Sequence, residues 1–296
     1  MKILTFPHTI HEPTAVALGR FDGVHSAHSA VILGAVNNTE NLVPAVFTFC
    51  DNPGKAPHSL LSTQEEKHEQ IANLGVEILL NARFEVLRNL SAEEFVNDVL
   101  LGLMNAKAVY CGYNYRFGKG ASADVNTLRS LCAVHGISVT CTDEFITKGQ
   151  SVSSTTIRSL LSEGNVKSAA ELLGRNYALS GEVIHGNALG RTIQIPTINL
   201  CPPEEKQLPL YGVYATRTSI DNKTYKSITN IGVKPTVGSD SPTVETYLLD
   251  AQGDFYCKCA KVELVDFLRE ERKFSSLEEL KSVIAKDIEK AQQILI

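Results

Sequence analysis

Residues 19–36 read GRFDGVHSAHSAVILGAV. A short apolar strand, Ala15-Val16-Ala17-Leu18, runs into Gly19. A loop carrying Phe21, Asp22 and Gly23 follows, then His25 and His28, then an apolar run. Strand, glycine, loop and helix in that order are what parallel α/β sheets use to bind nucleotides. The helix N-terminus offers unbonded N–H groups and the positive end of its dipole to phosphate. Histidines at i and i+3 share one helix face and can share the charge of one polyphosphate. The same pair also reads as solvated first-turn residues, so this stretch needs support from elsewhere.

Outward from it, apolar strands over 15–18, 45–49, 78–81, 107–111 and 138–141 alternate with amphipathic helices over 26–36, 63–74, 92–104 and 123–135. That alternation predicts a parallel sheet with helices on both faces. The segment SVSSTTIRSLLSEGNVKSAAELLG at 151–174 follows. Ser153 or Ser154 caps a first helix that Gly164 stops, and Gly174 closes a second over 166–173. These helices connect the halves. Beyond Tyr177 the pattern changes to short alternating strands over 179–184, 212–218, 226–231, 244–249 and 261–267. Such spacing predicts a small antiparallel barrel. The last segment, FSSLEELKSVIAKDIEKAQQILI, is a helix with a capping box at Ser275/Glu278 or Ser276/Glu279. Its packed stripe reads Leu277, Leu280, Ile284, Ile288, Ala291 and Leu295. The expected fold is α/β plus β, with a nucleotide-binding domain over 1–175 and a barrel domain with a C-terminal helix over 176–296.

The 296 residues are 43% hydrophobic and 21% charged, with net charge −5 and pI about 5.9. An acidic chain argues against nucleic acid as its main partner. No apolar run approaches the ~18 residues of a membrane span. The start, MKILTFPHTIHEP, is too short in apolar residues for a signal-peptide core. Seven scattered cysteines without a CxxC pair read as reduced, packing thiols of a cytoplasmic protein. Cys257 and Cys259 stand too close for a zinc-knuckle half-site. The sequence leaves the oligomeric state open.

Three more clusters bear on chemistry. Val109-Tyr110-Cys111-Gly112 reads as a strand, followed by Tyr113-Asn114-Tyr115-Arg116-Phe117-Gly118-Lys119-Gly120. Glycines, aromatics and cations there suit a ring system beside phosphate, or a turn with inward-packed aromatics. In Ser153-Ser154-Thr155-Thr156-Ile157-Arg158, Ser154, Thr155 and the first-turn N–H groups could hold a phosphate that Arg158 clamps. A plain cap with a surface arginine is the alternative. In HGNALGRTIQIPTINL at 185–200, Gly186, Gly190 and Arg191 suit a tight phosphate loop. Thr197 and Asn199 face one side of an extended segment and offer hard oxygens for a partly hydrated Mg²⁺. Taken alone, that segment is more often a strand start with a turn residue. No GxxxxGK[ST] occurs.

Gly-x-Phe-Asp-Gly-x-His-x-x-His, Asn114 to Gly118, Ser-Ser-Thr-x-Ile-Arg and Pro196-Thr197-Ile198-Asn199, in this order, resemble the bacterial bifunctional riboflavin kinase/FMN adenylyltransferase (FAD synthetase) family. So do Gly212-Val213-Tyr214, Asn230-Ile231-Gly232 with Pro235-Thr236, Val244 to Asp250, and Leu268-Arg269-x-Glu271-x-x-Phe274. The resemblance spans about residues 12–293. It implies a nucleotidylyltransferase-like first domain in which FMN phosphate attacks the α-phosphate of ATP, giving FAD and pyrophosphate. It implies a barrel in which riboflavin is phosphorylated to FMN by ATP and Mg²⁺. His25 and His28 match ATP-phosphate histidines, with Gly19, Phe21, Asp22, Gly23, Asn114, Arg116, Ser154, Thr155 and Arg158 around the nucleotide. Gly186, Gly190 and Arg191 match the kinase phosphate loop, and Thr197 and Asn199 its metal ligands. Glu245 matches the base, and Asn114, Arg269 and Glu271 match flavin contacts. The implied partners are riboflavin, FMN and ATP, with no membrane and no nucleic acid.

The chain departs from the family pattern at Ala27, where glycine is usual, and at Asp51-Asn52-Pro53, where Pro-His-Pro is common. Tyr247 stands at a histidine position and Gln194 at a glycine position. Two other readings follow: a riboflavin kinase alone, with a degenerate or regulatory first domain, and a non-catalytic flavin-binding protein.

Overall fold

The computed structural model describes residues 1–51, 59–185, 195–233, 242–251 and 253–296. Gly186, Gly190, Arg191 and Gln194, together with Asn52, Pro53, Pro235 and Thr236, lie outside the described residues. Two compact units emerge, one of residues 1–56 and 61–154, the other of 57–60 and 155–296. The division falls in the first turn of a helix, so both connecting helices belong to the barrel's unit.

The first unit is built on a parallel six-stranded sheet. Its strands are β1 (Lys2–Thr5), β2 (Thr14–Leu18), β3 (Val43–Phe49), β4 (Ile78–Ala82), β5 (Ala106–Gly112) and β6 (Ser138–Thr142), in the order β1-β4-β3-β2-β5-β6. β2 and β4 are buried along their whole length, which is why they read as unbroken apolar runs. Helices α1 (Ser26–Val36) and α2 (Gln64–Asn73) cover one face over Ala15, Ala17, Val46 and Leu79. The other face packs Val16, Leu18, Phe47 and Leu80 against Phe95, Val99, Leu128 and Cys132. Of these, Phe95 and Val99 stand on α4 (residues 92–103), and Leu128 and Cys132 on α5 (Val125–Val134). A short α3 spans Phe84–Leu87. α4 starts at Ala92–Glu94 and widens over Phe95–Leu103 into a π-helix, so the Met104 N–H bonds Val99 O. The small strands β7 (Ile146–Thr147) and β8 (Gln150–Ser151) pair antiparallel.

In the second unit, α6 (Ser154–Ser162) and α7 (Val166–Leu173) precede a closed antiparallel barrel. Gly174 ends α7 in the left-handed conformation. The barrel strands are β9 (Ala178–Ile184), β10 (Thr197–Leu200), β11 (Gly212–Ile220), β12 (Lys223–Val233), β13 (Pro242–Leu248) and β14 (Cys259–Glu270). Their order is β10-β13-β12-β11-β14-β9. One face of the strands carries fully buried hydroxyls: Thr216, Thr218, Ser227, Thr229 and Thr246. Their oxygens bond in series, Thr218 to Ser227, Ser227 to Thr216, Thr216 to Thr229 and Thr229 to Thr246, at 2.7–2.9 Å. Ser227 Oγ also donates to Thr216 O at 3.0 Å.

The alternate residues face α8 (Leu277–Ile294). Ala215 and Ile228 pack there with Ala291, Leu295, Val265 and Leu268. Register shifts along β14 leave Val265 and Leu268 without a partner on β11, and both contact that cluster. Ser276 caps α8 by accepting the Glu279 N–H at 3.1 Å; the Glu279 carboxylate accepts from the Ser275 N–H at 2.9 Å and not from Ser276, so neither expected capping box closes in full. Leu277 departs from the expected packed stripe: it is 60% exposed, because the first turn of α8 roofs a cavity instead of a core.

Candidate functional site

Reading along the sheet, the connections reverse direction between β2 and β5, and a parallel sheet opens a crevice at that point. A cleft of about 540 Å³ lies there, lined by Leu18, Gly19 and His25 after β2, and by Gly112, Asn114 and Arg116 after β5. Gly19 is required by a close approach: a Cβ there would meet the Phe21 ring at 2.7 Å. Phe21 and Val24 hold positive φ, 53° and 37°, an unfavourable conformation for side-chain-bearing residues. The loop is braced from below. Asp22 Oδ1 accepts the Leu61 N–H at 2.9 Å, the Gly23 N–H donates to Ser62 Oγ, and Ser154 Oγ donates to Asp22 O.

His25 is the N-cap of α1, 3% exposed, and its Nδ1 accepts the His28 N–H at 3.3 Å. With Nδ1 accepting, a neutral ring carries its hydrogen on Nε2 and can donate there. The His25 and His28 rings stack at 3.6 Å, and the Phe21 ring meets His28 edge-on at 5.4 Å. Arg20, Arg88 and Arg116 add positive charge to the lining, and Asp143 one negative group. The remaining wall is apolar, from Phe47, Phe49, Phe84, Phe95 and Phe117. These five come from four separate segments, so no spacing in the sequence announces them.

The cleft therefore brings together Gly19, Phe21, His25, His28, Asn114, Arg116 and Ser154. It does not take in Asp22 or Gly23, whose contacts brace the loop. Thr155 is exposed, and Arg158 Nε donates to Ser59 O at 2.6 Å. Ala27 does line the cleft. Asp51 is occupied elsewhere: both its oxygens accept the Phe84 N–H, at 2.8 and 3.1 Å, at the start of α3.

The barrel unit has its own cavity of about 370 Å³ beneath α8. Register aligns its polar residues. Glu245 on β13 stands opposite Asn199 on β10 and opposite Asn230 on β12. Residues opposed in adjacent strands share a face, so the three form one row. Thr197, opposite Tyr247, belongs to the next row on that face. The cavity is lined by Thr197, Asn230, Glu245 and Tyr247, by Arg269, Glu271 and Phe274, and by Leu277, Leu280 and Asp287 of α8. Asn230 Nδ2 donates to Glu271 Oε1 at 3.0 Å. That carboxylate lies over Gly232, where a Cβ would come within 2.0 Å of Oε1. Arg269 Nε donates to Asp287 Oδ2 at 2.9 Å. Sequence reasoning did not pick out Asp287, which reads as one more polar residue on a charged helix.

Seven free cysteines are spread through the chain. Burial pushes the Cys111 thiol up to about 12 and the Cys132 thiol up to about 11, so both stay protonated and unreactive.

Comparison with known proteins matches each unit separately. A family model described as FAD synthetase covers residues 8–156, and one described as riboflavin kinase covers 173–295. "Bifunctional riboflavin kinase/FMN adenylyltransferase" of Escherichia coli K12 is 35% identical over 97% of this chain and 96% of its own. The protein of that name from Bacillus subtilis is 33% identical over the same shares. A crystal structure titled as a macrolide-efflux protein from Streptococcus pneumoniae superposes with a TM-score of 0.91, at 27% identity and 99% coverage of both chains. That title belongs to the streptococcal protein; among the described residues here, no helix is long and apolar enough to cross a membrane. With both units matched, and relatives aligned over nearly their whole length, the chain belongs to the bifunctional riboflavin kinase/FMN adenylyltransferase family.

Proposed function

We propose that this chain phosphorylates riboflavin to FMN in the barrel cavity and adenylylates FMN to FAD in the α/β cleft, using ATP in both. The observation that carries the reading is Glu245 lining the cavity under α8 with Asn230 and Thr197, in register with Asn199 on the neighbouring strand. A carboxylate in that row can accept the proton of the riboflavin 5′-hydroxyl as the oxygen attacks the γ-phosphate of ATP. The hydroxyl of Thr197 and the amide oxygen of Asn199 fit a hard, partly hydrated cation, and we assign Mg²⁺ to them. When bound there, Mg²⁺ would neutralise charge on the ATP phosphates. Arg269 and Glu271 contact the flavin, and Gly186, Gly190 and Arg191 are assigned to the ATP phosphates.

In the cleft, transfer of the adenylyl group requires charge stabilisation at phosphorus and no protein nucleophile. The α1 N-terminus, His25, His28 and Arg116 supply it, and Asn114 with the phenylalanine wall accommodates the FMN ring. Ser154 lines the cleft, and Asp22 and Gly23 shape the loop beside it; Thr155 and Arg158 are assigned to phosphate from their place in the 153–158 motif alone. The free cysteines support a reducing compartment, the cytoplasm. We place the functional boundary between residues 175 and 176, close to residue 173 where the riboflavin kinase match begins; the compact units divide earlier, at 154/155, so helices α6 and α7 fold with the barrel.

Ala27 in the cleft speaks for a kinase alone, whereas the FAD synthetase match over residues 8–156 and the bifunctional relatives support both activities. One assay separates them: purified protein with ATP and Mg²⁺, given either riboflavin or FMN, with the flavins resolved by chromatography. FMN from riboflavin and FAD from FMN is the expected result. FMN without FAD would leave the kinase alone, and no conversion would overturn both activities.

A further inference from the structure

We propose that Asp287, on α8, is a positioning residue for the kinase site that acts through Arg269. This rests on the assignment of the barrel cavity to riboflavin.

Asp287 is a carboxylate only 3% exposed, on the helix face that otherwise packs Ile284, Ile288 and Ala291. An apolar side chain there would hold α8 to the barrel at least as well, since a buried ion pair seldom outweighs its own desolvation. The pair instead has geometric consequences. Asp287 Oδ2 takes the Nε–H of Arg269 at 2.9 Å, Glu270 O takes an Nη1–H at 3.0 Å, and Phe274 lies under the guanidinium at 5.6 Å. The plane of the guanidinium is fixed on three sides, and its Nη2 edge is left to serve a ligand. The irregularity at Leu268 works to the same end. It interrupts the alternation just before Arg269 and puts Arg269 opposite Val213, on the cavity face. Asp287 and Arg269 both line the cavity that holds Glu245. The guanidinium is thus presented, already oriented, to the acceptor oxygens of the flavin. Without Asp287 it would have to be ordered by the substrate itself, which weakens binding and leaves the chemical step intact.

The test compares the full-length protein with D287N, D287E, R269Q and the D287N/R269Q double variant. Riboflavin affinity is read from quenching of flavin fluorescence, and KM and kcat from FMN formation. D287N is expected to raise the riboflavin Kd and KM about tenfold. Its kcat should stay within about twofold and its KM for ATP unchanged. D287E should restore part of the loss, and the double variant should be no worse than R269Q. FAD formation from FMN, unchanged throughout, reports an intact first unit. Additive losses in the double variant, or a fall in kcat at unchanged KM, would overturn the proposal. Should D287N fail to fold, R269K takes its place: it keeps the charge and loses the fork. A raised KM with kcat kept then supports the proposal, and an unchanged KM overturns it. Failure of the unaltered protein to form FMN would strike the underlying assignment instead.

Discussion

At the residue scale, Gly232 and Glu271 show how a missing side chain makes room for a carboxylate. The Glu271 carboxylate occupies the space a Cβ on residue 232 would fill, and Asn230 bonds it there. Gly232→Ala meets the far end of a flexible side chain and not backbone, so Glu271 swings away at little cost to the fold. The expected outcome is a melting temperature within about 2 °C of the parent, with a raised KM for riboflavin. A large loss of stability with unchanged KM would show that Glu271 is not held by this contact. The histidine pair works differently. His25 and His28 were legible as candidates from spacing alone. That His25 Nδ1 accepts an N–H of its own helix, which decides which ring nitrogen carries the hydrogen in the neutral form, shows only in the fold.

At the element scale, α8 serves as both support and roof. Its later turns pack on Ala215 and Ile228, while Leu277, Leu280 and Ile284 cover the cavity. Fraying its start should therefore be felt as affinity. Ser276→Ala removes the cap at about 1 kcal/mol, and the riboflavin KM should rise more steeply with temperature than in the parent. Calorimetry and KM at two temperatures check this; parallel temperature dependence would argue that the first turn does not contribute. The capping box and the 3.6 period announced this helix in the sequence, but the period could not show that Leu277 faces a void. Other limits of the sequence have equally local causes. β1 is a four-residue edge strand ending before Pro7 and paired only with β4, so neither length nor alternation marked it. The apolar positions of α4 fit a 3.6 period even though its bonds widen to the π pattern. Helices α1 and α7 were legible to the residue because polar caps, and for α7 a closing glycine, bound them.

At the scale of the whole molecule, each unit has its own core and its own cavity, so the two activities should be separable by mutation. Glu245→Gln is expected to lower FMN formation by about 10²–10⁴-fold, the range for loss of a general base, while FAD formation from FMN persists. His25→Ala should do the reverse. Chromatographic flavin assays on both variants check this, and loss of both activities in either one would refute independent sites. Motif order along the sequence announced both units. Of the aromatic wall only Phe117 showed, because the other rings come from separate segments; the Arg269–Asp287 pair did not show, because it joins a strand to the following helix at no spacing that marks a contact. The barrel interior holds one more consequence. Ser227 Oγ has a single hydrogen and gives it to Thr216 O. Thr216 and Thr218 must then both donate to Ser227, which obliges Thr229 to donate to Thr216 and Thr246 to donate to Thr229. One backbone carbonyl thus fixes the sense of every O–H dipole in the series, and the series turns its negative end toward Thr246, the neighbour of Glu245.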